Sequence, residues 1–211
     1  MRGFLHLPAN SPRAALVLTH GAGANCRAPL LVALADALVH SGLAVLRCDL
    51  PFRQKRPHGP PVRGSAEQDQ QGLRRAAAIL RNVTGTPVFL GGHSYGGRQA
   101  SMLAASDANV CNGLLLLSYP LHPPNSPNQM RTAHFPSLHT NALFVQGTRD
   151  GFATPEEMET ALKLIPALTR LVLVEGAGHE LLPRKAEAAR RVTDTIVGAF
   201  DDFFSIAEKR G

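Results

Sequence analysis

Gly91-Gly92-His93-Ser94-Tyr95-Gly96-Gly97 is the stretch from which the rest of this sequence is read. It follows an apolar run, Pro87-Val88-Phe89-Leu90, and leads into an alanine-rich segment with helical spacing. A serine with glycines two before and two after it, at such a junction, fits a strand-to-helix turn too tight to admit side chains at those flanking positions. The turn strains the serine backbone and lifts Oγ clear of the main chain. G-x-S-x-G alone is a weak pattern. The strand before it and the helix after it make it a candidate nucleophile elbow with Ser94 as nucleophile.

Outward from the elbow, short apolar runs alternate with longer amphipathic stretches, the rhythm of parallel strands joined by crossover helices. The fold class is therefore α/β, with one domain expected over residues 1–211. Candidate strands are 14–19, 43–48, 87–91, 113–118, 142–146 and 171–174, and candidate helices are 29–40, 66–81, 95–105, 155–164 and 184–204. Pro155 after Thr154, and Pro183, mark helix starts. Two proline-rich stretches, 51–64 and 121–140, are expected to leave the carboxyl ends of strands and wall a pocket. Neither is long enough for a cap domain. Phe200, Phe203 and Phe204 in the last helix are read as core, with a partner face as the alternative.

Composition narrows the class. An apolar fraction of 44% in 211 residues suffices for an ordinary core without metals or disulfides. Cys26, Cys48 and Cys111 are odd in number and lack ligand spacing, which fits a reducing, cytoplasmic setting and no metal site. No run reaches membrane-spanning length and no signal-like segment opens the chain, so a soluble, unexported protein is expected. The net charge of +6 is spread over several segments with no Trp and only two Tyr, which argues against nucleic acid as a partner. Arg53, Lys55, Arg56 and Arg63 nevertheless cluster in one loop.

Serine needs a base to act as a nucleophile, and on a strand-turn-helix scaffold of this kind the order is serine, acid, histidine. Asp150 follows the strand at 142–146 in Gln146-Gly147-Thr148-Arg149-Asp150, and His179 follows the strand at 171–174 in Gly176-Ala177-Gly178-His179. His179 is the expected base and Asp150 its orienting carboxylate. Asp49, after the strand at 43–48, is the alternative acid; Glu175 is read as loop support. His20-Gly21-Ala22-Gly23-Ala24, after the first core strand, offers main-chain amides for an oxyanion. Ala22 and Tyr95 are the expected donors, with Gly23 in reserve for Ala22. The same loop read as a phosphate cradle lacks both G-x-G-x-x-G and the lysine of the P-loop. His20 is expected to shape this loop or to touch substrate. His93, His122, His134 and His139 also fall near strand ends, without an acid in the required order.

Together the elbow, the H-G-A-G-A loop, G-T-R-D and G-A-G-H resemble the α/β-hydrolase superfamily, and are similar to its small lidless dienelactone-hydrolase-like branch, the KANL/Tex-type hydrolases. Asp49-Leu50-Pro51-Phe52-Arg53 and Ser118-Tyr119-Pro120-Leu121-His122-Pro123-Pro124 extend the likeness over nearly the whole chain. The resemblance implies an α/β-hydrolase fold with a mostly parallel sheet of six to seven strands, no cap, no cofactor, and a Ser94-Asp150-His179 triad acting on an ester-type bond. Dienelactone hydrolases themselves carry cysteine at the elbow, where this chain has Ser94.

The expected activity is hydrolysis by acyl transfer on a small-molecule ester or thioester. Arg53, Lys55, Arg56 and Arg131 are expected either to border an open pocket, where they would favour a substrate with a carboxylate or phosphate near the ester, or simply to solvate a loop. Two rivals share the fold: a silent scaffold or binding protein, and an acyltransferase or peptidase using the same triad. A dehalogenase would want a carboxylate in place of Ser94. A homodimer through an edge strand or the last helix is compatible with the sequence.

Overall fold

In the computed structural model, which describes residues 2–205, seven strands make one sheet. They are β1 (Gly3–His6), β2 (Ala14–Thr19), β3 (Leu43–Cys48), β4 (Val88–His93), β5 (Leu114–Leu117), β6 (Ala142–Gly147) and β7 (Thr169–Val174). Their order across the sheet is β1-β3-β2-β4-β5-β6-β7, and only β1 runs antiparallel to its neighbour. Every residue of β2, β3, β4, β5 and β6 is buried, so these strands read as unbroken apolar runs rather than alternating ones.

Two helical layers bury the faces. Leu73, Ala76 and Leu80 of α3 (Ser65–Thr84), Leu103 of α4 (Tyr95–Ser106) and Met158 of α5 (Pro155–Leu162) pack on one side. Leu31, Leu34 and Leu38 of α1 (Pro29–His40), with Ile196 and Phe200 of α6 (Ala186–Phe204), cover the other. Phe200 is buried edge-on against Phe89 at 5.1 Å and Phe204 packs tilted against the same ring at 4.7 Å, whereas Phe203 is half-buried at the margin beside Arg170. A five-residue helix, α2 (Pro51–Lys55), stands in the first proline-rich stretch. Residues 118–141, between β5 and β6, contain one 3-10 turn at Phe135–Ser137 and no cap.

The elements differ from the sequence expectation in instructive places. β1 is four residues long with three of them exposed, so it has almost no apolar pattern; β3 holds it through backbone pairing. α2 starts on Pro51 at its first turn, where proline's missing N–H has no partner to lose. α6 begins at Ala186 after Lys185, so Pro183 belongs to the preceding loop. Thr154 and Glu157 close α5 with reciprocal side-chain-to-backbone bonds. Among the described residues, no helix is long and apolar enough to cross a membrane.

At the elbow the backbone approaches are extreme. A methyl on Gly92 would lie 2.7 Å from Gly96 C, Gly97 N and Thr19 Oγ1, whereas nothing lies within 4 Å of one on Gly23. Backbone cannot yield as a flexible side chain can. Gly92→Ala is expected to lose at least about 2 kcal/mol of folding stability, and Gly23→Ala less than about 0.5 kcal/mol, both read as shifts of the urea unfolding midpoint.

Candidate active site

Ser94 occupies the turn between β4 and α4 with φ 51° and ψ −115°, a left-handed backbone that a non-glycine residue holds only under constraint. Its amide donates to Leu117 O at 2.8 Å, which ties the turn to the end of β5. The side chain faces His179: Ser94 Oγ and His179 Nε2 are 2.9 Å apart. On the far side of the ring, His179 Nδ1 lies 3.0 and 2.9 Å from the two oxygens of Asp150. A carboxylate accepts, so Nδ1 carries the proton and Nε2 is left free to accept from Ser94 Oγ–H. The structure thus brings together the three residues that the order along the chain singled out.

Each member is held by neighbours. Asp150 is buried, accepting from Gln146 Nε2 at 2.8 Å and from the Phe152 amide at 2.9 Å. The Phe152 ring stacks on His179 with centroids 4.1 Å apart and a 29° interplanar angle. His93 Nε2 donates to the carbonyl of His179 at 2.8 Å, and burial holds the His93 pKa below the ordinary histidine value, as a neutral donor requires. Gln146 and Phe152 were not singled out from sequence. A lone glutamine closing the apolar run Ala142-Leu143-Phe144-Val145, and an aromatic two residues past the acid, were the available signals.

The glycine loop after β2 lies against the serine. A methyl on Gly21 would be 3.4 Å from Ser94 Cβ and 3.1 Å from His93 Nδ1. Ala22 and Gly23 line the cavity onto which Ser94 opens, and among the described residues their amides donate to no backbone carbonyl. Tyr95 is the first residue of α4, where the amide has no helical acceptor and the helix end carries partial positive charge. Its phenol points elsewhere, to Asp69 at 2.8 Å.

The cavity has a volume of about 810 Å³. Its walls are largely apolar, from Ala24, Leu31, Phe152, Leu182 and Pro183 among others, with Glu180 and Arg184 as the charged lining. Four expectations are corrected here. The two proline-rich stretches do not line it; the loop after β2, the start of α1 and residues 179–189 do, because both of the latter segments cross the carboxyl edge beside His179. Arg53 is not a substrate contact: it is 2% exposed and its guanidinium donates to the carbonyls of Ala22, Ala24, Arg56 and Gly59. Arg131 lies outside the lining and donates to Pro120 O at 3.3 Å. His20 is fully buried, donating Nδ1–H to Gly21 O and accepting from the Leu50 amide, so it shapes the loop and cannot reach a substrate.

The rival acids are otherwise engaged. Asp49 accepts from the Cys26 amide at 2.7 Å and pairs with Arg2; burial raises its pKa, but these bonds outweigh it and leave the group below the usual carboxylate value. Glu175 accepts from Thr148 Oγ1 in the loop before Asp150.

The sequence profile described as an alpha/beta hydrolase domain matches residues 12–204. The chain belongs to the α/β-hydrolase family. Solved structures share its fold at low identity. Est1E from Butyrivibrio proteoclasticus, solved with ferulic acid bound, is 16% identical with a TM-score of 0.77, covering 97% of this chain and 95% of its own. A dienelactone hydrolase from Anabaena variabilis is 22% identical with a TM-score of 0.73, over 95% and 91% of the two chains. XC6422 from Xanthomonas campestris, described as an α/β serine hydrolase without a lid, is 18% identical with a TM-score of 0.68, over 95% and 86%.

The remaining histidines of this α/β-hydrolase domain lie outside the triad. His122 bridges Pro123 O and Glu157, and His139 is exposed. His134 donates Nε2–H to Ser101 Oγ at 2.8 Å, and burial, followed by the Arg98 charge, lowers its pKa to about 4. An unfolded chain takes up that proton near the ordinary histidine value of 6.5. The group therefore contributes stability that is present above that value and lost as pH falls through about 4. His134→Gln, which keeps a donor but does not titrate, is expected to lose less melting temperature than the wild type between pH 7 and pH 4.5 in thermal melts.

Proposed function

We propose that the chain is a serine hydrolase that cleaves a carboxylic ester or thioester of a small substrate through an acyl-enzyme on Ser94. The observation that carries this reading is the unbroken hydrogen-bond chain from Asp150 through His179 to Ser94 Oγ. Ser94 Oγ attacks the substrate carbonyl as its proton passes to His179 Nε2, and the carbonyl oxygen becomes an oxyanion facing the amides of Tyr95 and of the Ala22-Gly23 segment. On collapse the carbon–oxygen or carbon–sulfur bond breaks, and His179 returns the proton to the leaving alcohol or thiol. Water, deprotonated by the same nitrogen, then attacks the acyl-enzyme and releases the acid and free Ser94. Asp150 holds the ring tautomer and stabilises the imidazolium in each half-reaction.

The cavity supports an apolar acyl or alkyl group of modest size, in keeping with its alanine, leucine and phenylalanine lining. Two opposite charges at its border, Glu180 and Arg184, favour a neutral ester over an anionic one. The ferulic acid in the Est1E structure fits the same view of a site for a flat or short acyl group.

Intact-protein mass spectrometry after fluorophosphonate treatment, with p-nitrophenyl butyrate turnover, tests the proposal. One adduct is expected on the wild type and none on Ser94→Ala. Ser94→Ala and His179→Ala are each expected to lower kcat by about 10⁴- to 10⁶-fold. A folded wild type with neither adduct nor turnover would instead support a scaffold role.

A further inference from the structure

Arg53 is buried, and two of its four guanidinium hydrogen bonds end on the loop beside Ser94 while the other two end on the segment after α2. Its guanidinium donates from Nη2 to Ala22 O at 2.7 Å and to Gly59 O at 2.9 Å. Nε donates to Ala24 O at 2.7 Å, and Nη1 to Arg56 O at 3.0 Å. Among the described residues no carboxylate lies within salt-bridge distance of it, and its plane sits 4.9 Å above the Phe52 ring. A buried guanidinium held by four carbonyl dipoles and no acid is a costly arrangement for stability alone, because desolvation of the charge is offset only by partial charges.

We propose that Arg53 is a positioning residue of the oxyanion loop: by holding the Ala22 carbonyl it aims the Gly23 amide at the oxygen that develops negative charge, and it strengthens that amide as a donor. In a planar trans peptide C=O and N–H point in opposite directions. The Ala22 carbonyl turns inward to Arg53, which lies outside the cavity lining, so the Gly23 N–H of the same peptide turns toward the cavity that Ala22 and Gly23 line. The preceding peptide is held in the same manner. Gly21 O accepts from His20 Nδ1 at 2.8 Å and from the Ala24 amide at 3.1 Å, which directs the Ala22 amide. A cation on the carbonyl end of a peptide polarises it and makes its N–H more acidic, and the effect grows in a dry interior. Arg53 also ties this loop to Gly59 and Arg56, so the segment after α2 holds the site from behind.

This inference rests on the serine-hydrolase reading, and the test separates the two. Fluorophosphonate labelling and p-nitrophenyl butyrate turnover by the wild type, both lost in Ser94→Ala, establish the reading; their absence would remove the basis for the inference. Given that activity, Arg53→Lys and Arg53→Gln are each expected to lower kcat by about 10- to 100-fold, the range of a weakened oxyanion donor, with KM within about threefold. Inhibition by phenylboronic acid, which mimics the tetrahedral oxyanion, should weaken by the same factor, while the pH profile keeps its shape. Methylguanidinium added to Arg53→Ala should restore part of kcat. Folded variants with wild-type kcat and boronate affinity would overturn the proposal. If the variants do not fold, the wild type carries the test through the Arg53 guanidinium N–H resonances: a shift when the boronate adduct forms supports the proposal, and unmoved resonances overturn it.

Discussion

The approach of the backbone after β2 to the turn at Ser94 is the constraint on which the site depends. Gly92 and Gly96 leave Thr19 Oγ1 and His20 O less than 3 Å from where their side chains would begin. That closeness lets β4 end, reverse through a left-handed serine and enter α4 while the neighbouring strand still pairs with it in register. It also sets the glycine loop at van der Waals distance from the nucleophile. Larger residues at Gly92 or Gly96 would meet backbone and Thr19 at under 3 Å and push the β2 loop and the Ser94 turn apart.

Around this junction several buried polar groups hold the site through hydrogen bonds. Asp150 takes donors from Gln146, Phe152 and His179; His93 supports the His179 backbone; His20 and Arg53 hold the two peptides of the oxyanion loop. Ser94 Oγ and the His179 ring are thus held in place without a bound substrate, the kind of preorganisation that the proposed acyl transfer would use. The hydrophobic sheet supplies rigidity: strands buried on both faces, clamped between two helical layers, do not give when charge develops at their carboxyl edge.

The absence of a cap between β5 and β6 leaves substrate selection to other segments. In this chain the cavity at Ser94 is lined instead by the loop after β2, the start of α1 and residues 179–189, the last of which carry His179. Coupling the pocket wall to the segment that bears His179 means that substrate packing and base placement share one piece of backbone. Phe152 belongs to both as well, lining the cavity while stacking on the imidazole.

How much of this was legible beforehand differs by element for physical reasons. The central strands could be read because burial on both faces forces continuous apolar runs, and the elbow because its steric demand leaves a glycine pattern. Ser94, Asp150 and His179 could be named because each ends a recognisable strand in one order. β1 was illegible, since an exposed edge strand has no pattern to impose. Arg53 and Arg131 were read as pocket-border cations for an anionic substrate, and their turn toward carbonyls has no local signature; for Arg53 it depends on the distant carbonyls of Ala22 and Ala24 meeting the nearby ones of Arg56 and Gly59. By itself, then, the sequence determined the fold class and pointed to the three groups proposed to do the chemistry, because those readings follow from local sterics, periodicity and order along the chain. Only the tertiary structure decided the 2.9 Å spacing of serine and base, the direction of the loop amides and the walls of the cavity, because each arises where segments far apart in the chain meet.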